Sequence, residues 1–369
     1  MIYLDSAAST PTFKEVIKEM KPFLEDHYAN PSSKHKCADV VKPAIDLARE
    51  RVSNVINSGS EEVIFTSGAT ESINLAIKGI ITNYSDSHII TTQIEHKAVL
   101  ESCKYLESIG VEVTYLGVDQ NGVISLDELK SSIQNNTVLI SVQFANNEIG
   151  TIQDVESIGK ICKENNIPFM CDVTQVIGKL EVDVERLNID LLCLSSHKIH
   201  GPKGVGALYK RKKIKLTPLL HGGDQEGGLR AGTLNTAGIV GFGKACEIAK
   251  NDLGKNHKKL SAIQAEFESF IESNNKGQVI AKNASRLPHI SNIQLNEEAD
   301  TFINRNKGTL CVSTGSACNS NIITQSLVLK AIGMTEQDSK RCVRFSFSNS
   351  PLGASIWNTI FELKQVDKK

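Results

Sequence analysis

The chain has 369 residues, of which 40% are hydrophobic and 22% charged, and its formal net charge is −1. That composition suits a globular protein with a large and a smaller domain, and near-neutrality argues against strong direct binding to nucleic acid. No run approaches the ~18 consecutive apolar residues of a membrane span, and MIYLDSAASTP does not read as a secretory signal.

Between about residue 60 and residue 210, apolar runs alternate with helical patterns. The strand candidates are EVIFTSG, HIITTQIEH, VEVTYLGV, TVLISVQFANNEIG, IPFMCDVTQ, IDLLCLSSHKI and GVGALYK. ESINLAIKGI, KAVLESCKYLESIG and VESIGKICKENN carry helical periodicity between them. Strands alternating with helices predict a mostly parallel sheet covered on both faces. Past about residue 240 the pattern changes. KKLSAIQAEFESFIESNN places Leu260, Ile263, Phe267, Phe270 and Ile271 on one stripe, and PHISNIQL, TLCVSTGSACNS, SLVLKAIG and CVRFSFSNS follow. This reads as a smaller α+β domain.

Nine cysteines stand at 37, 103, 162, 171, 193, 246, 311, 318 and 342, with no C-x-x-C pair. The spacing does not suggest a zinc site, so no metal is expected. Reduced thiols in a cytoplasmic protein are the simplest reading, most of them small core residues.

Ligands of parallel sheets bind beyond the carboxyl ends of the strands. Those exits collect one polar set: Ser67 to Glu71, His96, Asn146 and Asn147, Asp172 and Gln175, and then Ser195, Ser196, His197 and Lys198. SGATES, opening a helix, suits a phosphate, with Thr70, Ser195 and His197 completing a cup. The same segment also reads as an ordinary capping box. A lysine at the mouth of a buried strand either snorkels to solvent or has a lowered pKa and a covalent task. Asp172 is either a helix cap or the acid that keeps a pyridine nitrogen protonated, and lone His96 is either a capping histidine or a ring stacker. Phosphate cup, ring stacker, acid and lysine in chain order favour a pyridoxal phosphate site.

FTSGATESINLAIKG, EHKAVL, NNEIGTIQD, DVTQVIGK, SSHKIHGPKGVGALY, AGTLN, STGSAC and VRFSFS together resemble the cysteine desulfurases. These form part of the class-V aminotransferase branch of the fold-type I pyridoxal phosphate enzymes. The similarity runs from YLDSAAST to RFSFS. It implies an α/β fold with a mostly parallel seven-stranded sheet flanked by helices. The large cofactor-binding domain would span 13–240, and 1–12 with 241–369 would form the small domain. Lys198 would hold the cofactor, His96 stack on its ring and Asp172 pair with its nitrogen. Ala69, Thr70, Ser195 and His197 would hold the phosphate, with Gln175 and Asn147 near the ring oxygen and the substrate.

The same similarity makes Thr233, in AGTLN, a contact to the phosphate of a neighbouring subunit, and so implies a homodimer. It makes Cys318 the nucleophile toward the sulfur of L-cysteine, on a loop of small polar residues, and Arg344 the grip on the substrate carboxylate. TGSACNSNIITQSLVLKAIG resembles the group with an extended catalytic loop. Asp224, Gly227, Val173 and Ser348 depart from the usual family residues. They put the sulfur-acceptor protein in doubt, leaving iron–sulfur assembly, tRNA thiolation and DNA sulfur modification open.

Overall fold

Twelve strands occur among the described residues of the computed structural model, which are 1–81, 86–314, 325–348 and Phe361. They are β1 (Ile2–Tyr3), β2 (Val63–Thr66), β3 (His88–Thr92), β4 (Glu112–Leu116), β5 (Thr137–Ser141), β6 (Phe169–Asp172), β7 (Leu191–Ser195), β8 (Gly206–Lys210), β9 (Gly277–Val279), β10 (Ile290–Leu295), β11 (Leu310–Cys311) and β12 (Cys342–Ser346). β2 to β8 coincide with the seven apolar runs and form one seven-stranded sheet, in the order β2-β8-β7-β6-β5-β3-β4. β3, β4, β5, β6 and β7 pair in parallel, while β8 runs antiparallel to both its neighbours. The start of β8, rather than its end, therefore lies beside the ends of the parallel strands.

Period-two geometry divides the strand side chains between two cores. Phe65, Ile90, Ile140, Phe169 and Leu192 join one, while Ile64, Ile89, Leu139, Met170 and Leu191 join the other. Helices Val41–Ile56, Val155–Glu164 and Thr236–Asn251 cover the first face, and helices Ala69–Gly79 and Lys97–Glu107 cover the second. Burial on both faces explains why β2, β3 and β7 are wholly buried runs with no polar alternation. Edge strand β4 is less buried. A Cβ on Gly243 would lie 2.6 Å from the Ala48 Cα, so helix Thr236–Asn251 crosses helix Val41–Ile56 closely because that position is glycine.

A three-stranded antiparallel sheet, β12-β10-β9, follows. Helix Leu253–Ser273 packs on it through Leu260, Ile263, Phe267 and Ile271, with Phe270 only partly covered. The N-terminal segment joins the two sheets. β1 pairs in parallel with β11, Asp5 bridges to Ser346, and the Thr10 N–H and hydroxyl donate to the His197 carbonyl at 2.9 and 2.8 Å. Among the described residues no helix is long and apolar enough to cross a membrane.

Candidate active site

β2 ends at Thr66, and Gly68 starts helix Ala69–Gly79 without a side-chain cap. The capping-box reading of SGATES does not hold, since the N-cap is Gly68 and has no side chain to cap with. Glu71 instead accepts from the Ser67 N–H at 2.8 Å and pairs with Arg230 at 2.8 Å. First-turn N–H groups have no intrahelical acceptor, so the helix start at Ala69 and Thr70 can take an anion. Gly206 brings the strands close around it, since a Cβ there would meet the Gly68 Cα at 2.6 Å and the Leu194 carbonyl at 2.5 Å. The Ser195 hydroxyl lies 3.9 Å from where a Cβ on Gly68 would sit, which puts both residues in one cup. Ser195 is buried, His197 is half-buried and Thr70 is exposed. Burial, then the positive charges of Lys198 and Lys203, push the His197 imidazole down to about 4. It is neutral at physiological pH.

His96 follows β3 and caps helix Lys97–Glu107 by accepting the Ala98 N–H on Nδ1 at 3.1 Å. Capping and stacking are compatible, because the cap uses the ring edge. The residue is open to solvent, yet enough protein surrounds the ring to disfavour its charged form. Desolvation is the largest cause of its lowered pKa, opposed by Asp172 and assisted by Lys198 and Lys97.

Asp172 ends β6, and its Oδ1 accepts the Thr174 N–H at 2.8 Å. That bond closes a tight turn, and the residues after it form turns rather than a helix, so Asp172 is not a helix cap. Burial and then the Asp172 charge hold the thiols of Cys171 and Cys193 protonated. Gln175 donates from Nε2 to the Ala7 carbonyl at 2.9 Å.

Lys198 closes the short turn Ser196–Lys198 after β7 and is half-buried. Its Nζ donates to the carbonyls of Ala7 and Ala8 at 2.5 and 2.9 Å. Burial and the Arg344 charge lower its amine to about 8, against the opposing pull of Asp172 and Asp5. It does not snorkel.

Arg344, on β12, is 4% exposed. It donates from Nη1 to the Asn147 carbonyl at 2.9 Å and from Nη2 to Asp5 at 2.8 Å, while its buried Nε has no hydrogen-bond partner. Asn146, by contrast, is structural: its amide donates to the Ile94 carbonyl and its oxygen accepts from Glu148 and Ile149. Glu148 accepts the Ser326 hydroxyl at 2.6 Å, and its burial raises its pKa.

The fold thus gathers His96, Asp172 and Arg344 within electrostatic reach of Lys198. Thr233 is on the surface. Cys318 lies outside the described residues. Val173 is fully buried, Ser348 is half-buried, and Asp224 and Gly227 are exposed. Gly227 has φ 64°, next to Glu226 at φ 50°. Glu226 is held there by Arg49 at 2.6 Å and by the Phe65 N–H at 2.7 Å.

Three contributors escaped the sequence reading: Asp5, the carbonyls of Ala7 and Ala8, and Glu148. YLDSAAST offered a signal for the first, but a backbone carbonyl has no side-chain signature.

Pyridoxal phosphate fits this donor set. A helix start sits beside a serine hydroxyl for the phosphate, a carboxylate ends a neighbouring strand for the ring nitrogen, and a lysine amine has backbone carbonyls as its hydrogen-bond acceptors. The orphaned Arg344 Nε adds a donor for a carboxylate.

The family model for class-V aminotransferases matches residues 2–351. The cysteine desulfurase IscS of Dictyoglomus turgidum is 44% identical over 373 residues, covering 100% of this chain and 95% of that protein. IscS of Methanosarcina thermophila is also 44% identical, over 100% of this chain and 92% of its own. A solved NifS-like protein superposes with a TM-score of 0.91 at 36% identity, covering 98% of this chain and 97% of its own. A structure described as SspA in complex with cysteine gives 0.84 at 40% identity, covering 94% and 99%. The match of fold and the full-length similarity place this chain in the class-V aminotransferase family, among the cysteine desulfurases.

Proposed function

We propose that the protein takes sulfur from L-cysteine, releasing L-alanine and leaving a persulfide on Cys318 for an acceptor protein. The observation that carries this reading is the Lys198 amine at the exit of β7, held by the Ala7 and Ala8 carbonyls and within reach of the charges of Arg344 and Asp172. Pyridoxal phosphate, when bound, supplies an electron sink for charge developing at the substrate α-carbon.

The chain's own residues do the rest. Lys198 would hold the cofactor, and its amine when free would be a base near neutral pH for the substrate α-proton. Asp172 would keep the ring nitrogen of a bound cofactor protonated, and His96 would stack on its ring. Ala69 and Thr70 at the helix start, with Ser195 and His197, hold the phosphate, and Thr233 of a second subunit completes the cup. Gln175 and Asn147 stand at the ring oxygen and substrate. Arg344 would grip the substrate carboxylate, its planar guanidinium being suited to a two-pronged contact. The Cys318 thiolate attacks the substrate sulfur, so that an S–S bond forms as the C–S bond breaks.

The same reading divides the chain into a large domain over 13–240 and a small one from 1–12 and 241–369, and places the homodimer in the cytoplasm. Incubation with L-cysteine should yield alanine and one persulfide per active chain in the first turnover. Absence of alanine from cofactor-loaded protein would reject the reading.

A further inference from the structure

Behind the Lys198 turn lies a small cavity lined by Ser6, Lys179, Lys198, His200 and His289, among others. It has ≈ 30 Å³ of room for water. A single water needs ~10–15 Å³, so two or three fit.

The polar atoms around the cavity specify its occupant. Ser6 and His289 are 4% and 1% exposed, and the Ser6 hydroxyl and His289 Nδ1 have no hydrogen-bond partner. Gln175 donates its amide N–H to the Ala7 carbonyl, so its Oε1 faces His289 Nε2 at 3.4 Å and must accept from it. A neutral imidazole carries one proton, which leaves Nδ1 as an acceptor. Burial, with Lys179, Arg344 and Lys198 nearby, keeps that imidazole neutral. Lys179 donates from Nζ to the Lys198 carbonyl at 2.8 Å and keeps further N–H groups. The cavity therefore offers donors from Lys179, an acceptor at His289 and a hydroxyl that serves as either. Water satisfies that set, whereas an anion would leave Nδ1 without a donor.

We propose that this cavity is a built water site, and that through it Lys179 and His289 are positioning residues for the proposed reaction. Lys179 holds the turn that carries the reactive amine. His289, donating to Oε1, holds the Gln175 amide in the orientation that the Ala7 carbonyl sets. The water ties the two together. The inference rests on the roles assigned above to Lys198 and Gln175.

The test combines crystallography with cofactor binding. In crystals of the wild-type apoprotein, water should lie within hydrogen-bond distance of Ser6 Oγ and His289 Nδ1. A dry cavity, or an anion there, would overturn the proposal. His289→Phe keeps the ring volume and Lys179→Met keeps the stem. Each should weaken binding of pyridoxal phosphate to the apoprotein at least fivefold in a fluorescence titration. The double variant should lose less than the product of the two. His289→Gln restores an amide donor toward Gln175 and should bind within twofold of wild type. Folded His289→Phe and Lys179→Met variants that bind like wild type would overturn the assignment. If either fails to fold, the wild-type density and His289→Gln still decide. Wild-type turnover of L-cysteine is measured alongside. A failure there alone, with water and affinity as expected, counts against the desulfurase reading and not against the site.

Discussion

Asp5 and Arg344 stand 339 positions apart and meet at 2.8 Å, with the Arg344 side chain 5% exposed. The pair ties the first loop of the chain to one of its last strands. It fixes the guanidinium with one N–H on Asp5 and another on the Asn147 carbonyl, while the buried Nε has no partner. Lysine cannot reproduce that planar fork. Arg344→Lys should raise the cysteine KM and lower kcat/KM at least tenfold, about 1.4 kcal/mol. Steady-state alanine formation measures this, and near-wild-type kinetics would move the carboxylate grip elsewhere.

The lowered amine of Lys198 has a kinetic signature. Only the unprotonated amine has a lone pair with which to bond the cofactor aldehyde. An amine with a pKa of about 8 is mostly protonated below that pH and mostly free above it. Stopped-flow capture of pyridoxal phosphate by the apoprotein should therefore quicken as pH rises and level off above an inflection near 8. An inflection near the ordinary lysine range would show that burial and Arg344 do not perturb this group in solution.

Lys198→Ala tests the assignment itself. It removes the amine that the carbonyls of Ala7 and Ala8 hold in place. The variant should lose the absorption of covalently held cofactor, and alanine formation should fall to background. An unchanged spectrum would point to another lysine.

Cys318→Ser separates the two halves of the chemistry. A hydroxyl is far less nucleophilic than a thiolate and cannot store sulfur as a persulfide. The variant should bind pyridoxal phosphate normally and still change its spectrum when L-cysteine is added. It should then stall, with little alanine and no protein persulfide by mass spectrometry. Wild-type alanine release would make another cysteine the nucleophile. Cys103, Cys162, Cys171, Cys193, Cys246 and Cys342 are poor candidates, because all are buried and burial raises each thiol's pKa.

Thr233 is exposed on the isolated chain. If it completes a neighbour's phosphate cup, a single chain has an incomplete site. Sedimentation at micromolar concentration should show a dimer, and Thr233→Ala should weaken cofactor affinity without dissociating it. A fully active monomer would contradict this.

The seven strands of the large sheet were legible because each is a short apolar run between helical patterns, and buried strands have little choice of residue. Lys198, Asp172 and His96 were legible for a related reason: a charged or polar side chain at the exit of such a run stands out against it. The order of the strands and the reversal of β8 were not legible, since pairing joins runs far apart in sequence and periodicity carries no partner. Nor did the residues decide between capping and stacking for His96; only the hydrogen bond on its ring edge shows that the face is left over.

The sequence alone determined the chemistry on offer, because side-chain types at strand exits are written directly in it. Tertiary structure decided how that chemistry is held. Asp5 on Arg344, Ala7 and Ala8 on Lys198, and Lys179 on the Lys198 carbonyl are contacts between distant segments, and most use backbone atoms. Every residue has a carbonyl, so no sequence pattern marks the one that will face a reactive amine. Long-range packing places it there.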